Sequence, residues 1–356
     1  MTEDGARVLM LHTGGTIGMR SEPTRGHVPA PGFLRALIAT MPQLSDTTAA
    51  RHGYDFVTPP FGSGRRAYYD FLEYDPLLDS ANLDLSHWAH FAEDLSKHEP
   101  SYDAFVLLHG TDTMAFTASA LSFALEGQKK TVVLTGSQVP LYALRSDGLD
   151  NVLGALRIAT EPAIPEVTLF FRDRLLRGNR ATKHDAVGLD AFVSPNLAPL
   201  AEMGVDLSVR RDLVLPADAR PFRARTTLSP HVAALRLYPG ITEDIFANFV
   251  REPLRGLVLE TYGAGNAPDT RRDLLAVLSR AIDRGLCVLN VTQCLRGTVS
   301  GAYAAGRALA DVGVIPGADL TAEAALAKLA YVIGLGGTRD ESAQMLRTAL
   351  RGEMTV

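Results

Sequence analysis

Cysteine is almost missing from this chain of 356 residues: there are two, Cys287 inside LCVLNV and Cys294 shortly after it. No CxxC pair and no companion histidines at ligand spacing accompany them, so a thiolate metal site is not expected, and the first fits a buried strand thiol. The nearest approach to a metal motif is His87-Trp88-Ala89-His90, whose histidines share one helical face. It lacks a third ligand nearby and reads as a solvated helix surface, so no metal is expected.

An excess of basic charge is missing too. The formal net charge is -5 and the arginines are scattered, leaving no stripe to hold a polyanion, so nucleic acid is not expected as a partner. Long apolar runs are also lacking. Even AEAALAKLAYVIGL carries Glu323 and Lys328, and no membrane crossing is expected. The start, MTEDGARVLML, is acidic where a secretory signal needs a basic start and a longer apolar region, so a cytoplasmic protein is expected. There is no low-complexity tract and no repeat at a fixed period.

What is present is ordinary globular material, 46% hydrophobic and 21% charged, enough for a large core. Strand patterns at RVLMLHT, AFVLLHG, TVVLTGS and VTLFFRD, then at VAALRLY, GLVLETY and LCVLNVT, alternate with helical stretches such as PGFLRALIATM, LSHWAHFAEDLSKH and TMAFTASALSFALEG. Near-continuous apolar strands between helices predict an α/β fold with a largely parallel sheet. Gly127 is expected to end the third of those helices. The loop-rich stretch over 47–71 is expected to form a hairpin or a flap. Charge and proline without periodicity over 205–230 predict a linker, between a larger N-terminal α/β domain over 1–204 and a smaller α/β domain over 231–356.

In such a sheet, residues just after each strand face one crevice. Those positions hold Thr13-Gly14-Gly15-Thr16, His109-Gly110-Thr111-Asp112-Thr113, Gly136-Ser137-Gln138 and the segment from Arg172 to Lys183. The first turn lacks both the GxGxxG spacing of dinucleotide sites and the GxxxxGK[ST] of phosphate loops. Hydroxyls, a carboxylate and a lysine suit a different chemistry. A hydroxyl attacks only when a base takes its proton, an uncharged lysine can be that base, and Gly-Gly amides can receive an oxyanion. That combination fits acyl transfer from an amide or ester. A purely structural alternative stands beside it, with TGGT as a tight turn and Asp112 as the cap of the helix at Thr113.

TGGTIG at 13–18 and HGTDTM at 109–114 resemble the two signature motifs of the bacterial-type L-asparaginases. The resemblance continues through LTGSQVPLYALRSDG, EVTLFFRDRLLRGNRATK, FVSPNLAPL, TYGAGNAP and NVTQC, and is strongest to the cytoplasmic, type I branch. It implies a large and a small α/β domain, no cofactor, and a dimer or tetramer in which a neighbouring subunit completes each site. It implies Thr16 as the nucleophile toward the side-chain amide of L-asparagine, with Thr111, Asp112 and Lys183 assisting proton transfer and water attack. Gly15 and Thr111 match the oxyanion amides. Asp79 and Ser80 match the positions that hold the α-amino and α-carboxylate groups, Gly110 and Ser137 line the rest together with Asp112, and Asn266 matches a residue from the second domain.

Two departures alter what the resemblance implies. Where the family places a lid tyrosine, this chain has His27 in RGHVP, a shorter group that can ionise near neutral pH. Some cytoplasmic members bind asparagine as an activator through an arginine before the YG of TYG. Here Glu260 lies in that region, with Thr292 and Cys294 retained, so weak or absent activation is expected. Other readings kept open are a glutamine, amide or ester substrate and a catalytically silent amino-acid sensor; relatives serving as an amidotransferase subunit carry an added N-terminal domain.

Overall fold

The computed structural model describes residues 5–24, 26–299 and 304–355. They form two units, one of Met1–Ser194 with Ala198–Ala224 and one of Pro195–Leu197 with Arg225–Val356.

The first unit is built on a nine-stranded sheet. In chain order its elements are β1 (Gly5–Gly14), a hairpin of β2 (Met19–Glu22) and β3 (Gly26–Pro29), α1 (Phe33–Thr40), β4 (Phe56–Val57), β5 (Arg66–Leu78), α2 (Leu85–His98) and β6 (Ala104–Leu108). There follow α3 (Met114–Ala124), β7 (Leu125–Glu126), β8 (Thr131–Thr135), α4 (Gly148–Ala159), β9 (Val167–Phe171) and β10 (Arg174–Arg177). Last come β11 (Thr182–Lys183), β12 (Phe192–Val193), β13 (Ala201–Met203), β14 (Leu207–Val209) and β15 (Arg223–Ala224). Across the sheet the order is β14, β13, β10, β9, β8, β6, β1, β5, β4. The five strands from β9 to β5 run parallel, and antiparallel strands extend both edges.

The parallel strands β6, β8 and β9 are buried along their whole length because both of their faces are covered. Val8, Met10, Val106, Leu108 and Val133 join one core cluster with Leu34, Ile38, Val152 and Leu156 from α1 and α4. On α2, Trp88, Phe91, Ala92 and Leu95 form the buried stripe, and Asp84 caps the helix in a reciprocal arrangement with His87. His87 is therefore a capping residue. Among the described residues no group of His, Cys, Asp and Glu could hold a metal.

Three expectations are corrected. The stretch 47–71 does contain an antiparallel pair, Phe56–Val57 with Tyr68–Tyr69, but rather than a flap its second arm opens β5, a full neighbour of β1 in register from Gly5↔Arg66 to His12↔Glu73. The turn-forming residues before it hid a strand whose aromatics are core: Tyr69 is buried and its hydroxyl donates to the Leu44 carbonyl at 2.8 Å. Gly127, at φ 68°, does not end α3 directly, because Leu125–Glu126 first pairs with Arg223–Ala224. The stretch 205–230 is no free linker, since it carries β14 and β15 of the first unit. Arg177 and Glu166, both buried, form an ion pair there; Arg177 also donates to the Leu213 carbonyl and Glu166 accepts from the Leu215 amide. Strands of two and three residues leave too short a pattern to show periodicity.

The second unit has a parallel sheet of β16 (Val232–Arg236), β17 (Gly256–Thr261), β18 (Cys287–Thr292) and β19 (Ile315–Pro316), in that order. Its helices are α5 (Glu243–Phe249), α6 (Arg272–Asp283), α7 (Ala304–Asp311), α8 (Ala322–Gly334) and α9 (Arg339–Arg347). Lys328 of α8 is wholly buried, with Nζ 2.7 Å from Glu353 Oε1 and donating to the carbonyls of Leu346 and Thr348. Glu353 in turn accepts from the amides of Leu350 and Arg351. Among the described residues no helix is long and apolar enough to cross a membrane.

Removing one partner of a buried ion pair strands the other charge, at a cost of about 3–5 kcal/mol. Lys328→Met is expected to lower the urea midpoint by a corresponding amount, and adding Glu353→Gln is expected to recover part of the loss. Equal midpoints for wild type and Lys328→Met would contradict the assignment.

Candidate active site

The crevice lies at the carboxyl ends of β5, β1 and β6, where the chain leaves β1 between two neighbours that continue on opposite sides. Thr13 donates its hydroxyl to the Leu108 carbonyl at 3.0 Å and ties the ends of β1 and β6 together. Gly14 (φ 132°) and Gly15 (φ 89°) then take conformations that side chains disfavour. A Cβ on Gly14 would lie 2.0 Å from the Leu78 carbonyl oxygen, and one on Gly15 would lie 2.5 Å from Gly110 Cα. A Cβ on Gly110 would in turn meet Ser80 Oγ at 2.4 Å. The turns after the three strands are in contact, and only glycine permits it. Thr16 opens a short 3-10 turn, Thr16–Gly18, directly after this contact and is half-buried.

Lys183 comes from β11, paired opposite Phe192 of β12. Its Nζ donates to Thr111 Oγ1 at 2.9 Å and to Asp112 Oδ1 at 2.8 Å. Asp112 is therefore bound to the lysine, and the α3 N-cap position, Thr113, has no side-chain cap bond. The Thr111 hydroxyl donates to Gln138 Oε1 at 3.0 Å, and Gln138 Nε2 donates to the Gly188 carbonyl at 3.2 Å. Gln138 is itself fixed by Asp147, whose carboxylate accepts the amides of Gln138 and Val139 and the Asn151 side chain. Lys183 is mostly enclosed, with 18% of its side chain exposed, whereas Asp112 at 64% opens to solvent. A hydroxyl held between an amine and an amide oxygen has its proton directed, which suits proton relay.

Of the other expected site residues, Ser80 is buried and accepts the Thr113 hydroxyl on its carbonyl at 2.8 Å. Asp79 is exposed and caps the following turn by accepting the Ala81 amide at 3.0 Å. Ser137 is buried with a hydroxyl that has no partner. His27 is exposed on β3, opposite Ser21 of β2. Tyr142, which sequence reasoning did not single out, holds that hairpin: its hydroxyl accepts the Ser21 amide at 3.1 Å and its ring meets Phe33 edge-on. Gln138 was placed at the crevice by its position in the polar GSQ after an apolar strand but given no role, and Asp147 was missed.

Asn266, Glu260, Thr292 and Cys294 belong to the second unit. Asn266 closes a turn with Tyr262, and its Oδ1 is buried without a partner. Glu260 lies opposite Arg236 in the sheet, with Oε2 3.8 Å from the guanidinium. The Thr292 hydroxyl donates to the Gly263 carbonyl at 2.5 Å and accepts the Cys294 amide. A surface cavity of about 580 Å³ on the first unit, lined by Phe61, Leu153, Arg157, Met203 and Leu207, contains none of the expected site residues.

Two buried histidines flank the crevice. Burial pulls His12 down to about 3, and neither ring nitrogen has a partner. Burial likewise pulls His109 down to about 4, against a smaller opposing effect of its bond to the Gly110 carbonyl. Both are neutral at ordinary pH.

A parallel α/β sheet with a threonine–lysine–aspartate cluster at its carboxyl end defines a recognisable class. The structure of L-asparaginase I from Vibrio cholerae O1 biovar eltor matches it with a TM-score of 0.87 at 40% identity, covering 99% of this chain and 100% of that one. The family model for the N-terminal asparaginase domain matches residues 7–215, and that for the glutaminase/asparaginase C-terminal domain matches 231–346. The chain belongs to the asparaginase family. It is 44% identical to L-asparaginase 1 of Escherichia coli (strain K12), over 98% of both chains. It is also 48% identical to the 60 kDa lysophospholipase of Homo sapiens over 98% of its own length, and spans 61% of that longer relative.

A histidine whose pKa is lowered by folding takes up a proton in the unfolded chain first. Its contribution is therefore intact above about 6.5 and is lost as pH falls toward the folded values. Carboxylates such as Asp84, held down to about 2 by bonds from Ser86 and then His87, act only at lower pH. The melting temperature is expected to fall between pH 6.5 and pH 5, and His12→Leu is expected to flatten that slope. Identical slopes for the two proteins would count against His12 as a source.

Proposed function

We propose that this chain hydrolyses L-asparagine to L-aspartate and ammonia through a threonyl ester, without a cofactor. The observation that carries the reading is the bonding of Lys183 to both Thr111 and Asp112, next to the glycine contact that brings Thr16 to the same crevice. The similarity to L-asparaginase 1 supports the substrate.

Thr16 Oγ1 attacks the side-chain amide carbon, and the amides of Gly15 and Thr111 receive the oxyanion. The C–N bond breaks, the nitrogen leaves as ammonia with the proton from Thr16, and the acyl group stays on Thr16. Water then attacks the ester, Thr111 and Lys183 beside Asp112 take one of its protons, and that proton is returned to Thr16 Oγ1 as the C–O bond breaks and aspartate leaves. Asp79 and Ser80 hold the α-amino and α-carboxylate ends, Gly110 and Ser137 line the pocket, and His27 closes over it on the β2–β3 hairpin. A contribution from Asn266 rests on the family resemblance alone, as do a cytoplasmic location and a dimeric or tetrameric assembly.

The name of the human relative favours a second reading, in which the acyl group comes from a lipid ester. The same threonine would attack either carbonyl, so substrate comparison separates the two. Ammonia release from asparagine and glutamine, measured beside fatty-acid release from a lysophospholipid, is expected to be fastest for asparagine. Fatty-acid release alone would reverse the reading. Thr16→Ala and Lys183→Met are each expected to reduce ammonia release by at least about 10³-fold with the fold retained. Near-normal turnover by Thr16→Ala would remove it as nucleophile.

Glu260, mostly enclosed beside Arg236, and the Thr292 hydroxyl already engaged by the Gly263 carbonyl leave a poor seat for a second asparagine, because the Glu260 charge repels its carboxylate. The rate curve is expected to be hyperbolic. A sigmoidal curve that Glu260→Arg leaves unchanged would contradict this.

A further inference from the structure

His109 follows β6 directly and is 1% exposed. Its Nδ1 is 2.7 Å from the Gly110 carbonyl oxygen, and its Nε2 is 3.0 Å from Thr117 Oγ1 on α3. The same hydroxyl receives the indole N–H of Trp88, the only tryptophan, at 3.0 Å from α2.

These partners settle the tautomer. A carbonyl only accepts, so Nδ1 carries the proton. An indole only donates, so Thr117 accepts from Trp88 and spends its own proton on Nε2. The chain of bonds runs in one direction, from Trp88 through Thr117 and His109 to the Gly110 carbonyl. In a planar trans peptide the C=O and the next N–H point in opposite directions. Fixing the Gly110 oxygen toward His109 therefore aims the Thr111 N–H away from the imidazole, toward the crevice.

We propose that His109 is a positioning residue that holds the Gly110–Thr111 peptide so that the Thr111 amide faces the oxyanion, with Trp88 and Thr117 fixing its tautomer. This rests on the acyl-transfer reading above. Gly110 cannot be fixed by a side chain of its own, because a Cβ there collides with Ser80. Its peptide must be held from outside, and the imidazole is the group that does so.

An oxyanion donor acts mainly in the transition state, so misaiming it lowers kcat more than it raises KM. In the purified full chain, His109→Leu is expected to lower kcat for asparagine by about ten- to a hundred-fold with KM changed by less than about threefold. His109→Asn offers an amide N–H close to the Nδ1 position and is expected to regain most of that loss. Thr117→Val, which leaves the ring in place and frees its tautomer, is expected to give a smaller kcat loss. A merely structural histidine would lower the melting temperature of all three variants without this order in kcat. Wild-type kcat in folded His109→Leu, a loss confined to KM, or Asn faring no better than Leu would overturn the proposal. Absence of turnover in the wild type would overturn the acyl-transfer reading instead. In that case a crystal structure of His109→Leu decides the positioning role, since an unmoved Gly110–Thr111 peptide would refute it.

Discussion

The constraint on which the crevice depends is the contact of Gly15 with Gly110, where a Cβ on Gly15 would collide with backbone and one on Gly110 would collide with Ser80. It presses the turn after β1 against the turn after β6, and Ser80 against the second of them. Thr16 lies one residue beyond the first glycine and Thr111 one residue beyond the second. Their separation is therefore set by backbone contact, the least adjustable kind, while longer side chains adapt around it. Everything polar in the crevice is arranged from that fixed point, including Lys183, which arrives from β11 and meets Thr111 and Asp112 with one amine.

Around the contact, each mobile group is tied by a neighbour that does not face the crevice. Asp147 holds Gln138, Gln138 holds the Thr111 hydroxyl, and the Gly188 carbonyl holds Gln138 from the other end. His109 holds the Gly110 carbonyl, and Tyr142 holds the hairpin that bears His27. Such outer support is what gives a reacting group a single orientation. It also explains why so many polar atoms are buried near the carboxyl edge of a sheet that is otherwise apolar.

Much of this was legible in the sequence. Strands with continuous apolar runs, such as AFVLL and TVVLT, could be placed because burial on both faces leaves no alternation to misread. Polar residues directly after apolar strands marked the turns around Thr13–Thr16 and His109–Thr113 as candidates, while the choice of Thr16, Thr111, Asp112 and Lys183 among them came from the family resemblance of the motifs. β5 was hidden because its buried residues include adjacent tyrosines on opposite faces and charged residues interrupt it without a period of two, and proline and glycine before it suggested a loop. β14 and β15 were hidden because pairs and triplets of residues carry no period. The roles of Gln138, Asp147 and His109 depend on which atoms meet across distant segments, and a single sequence does not encode that directly.

Lys183 bonds Thr111 across 72 residues of chain, and the turn that packs against neighbouring Gly110 begins near residue 14. During synthesis the early motifs leave the ribosome well before the lysine does, and the sheet must close before that amine can reach them. A chain that stops short of Lys183 has the Thr111 hydroxyl without the amine that donates to it.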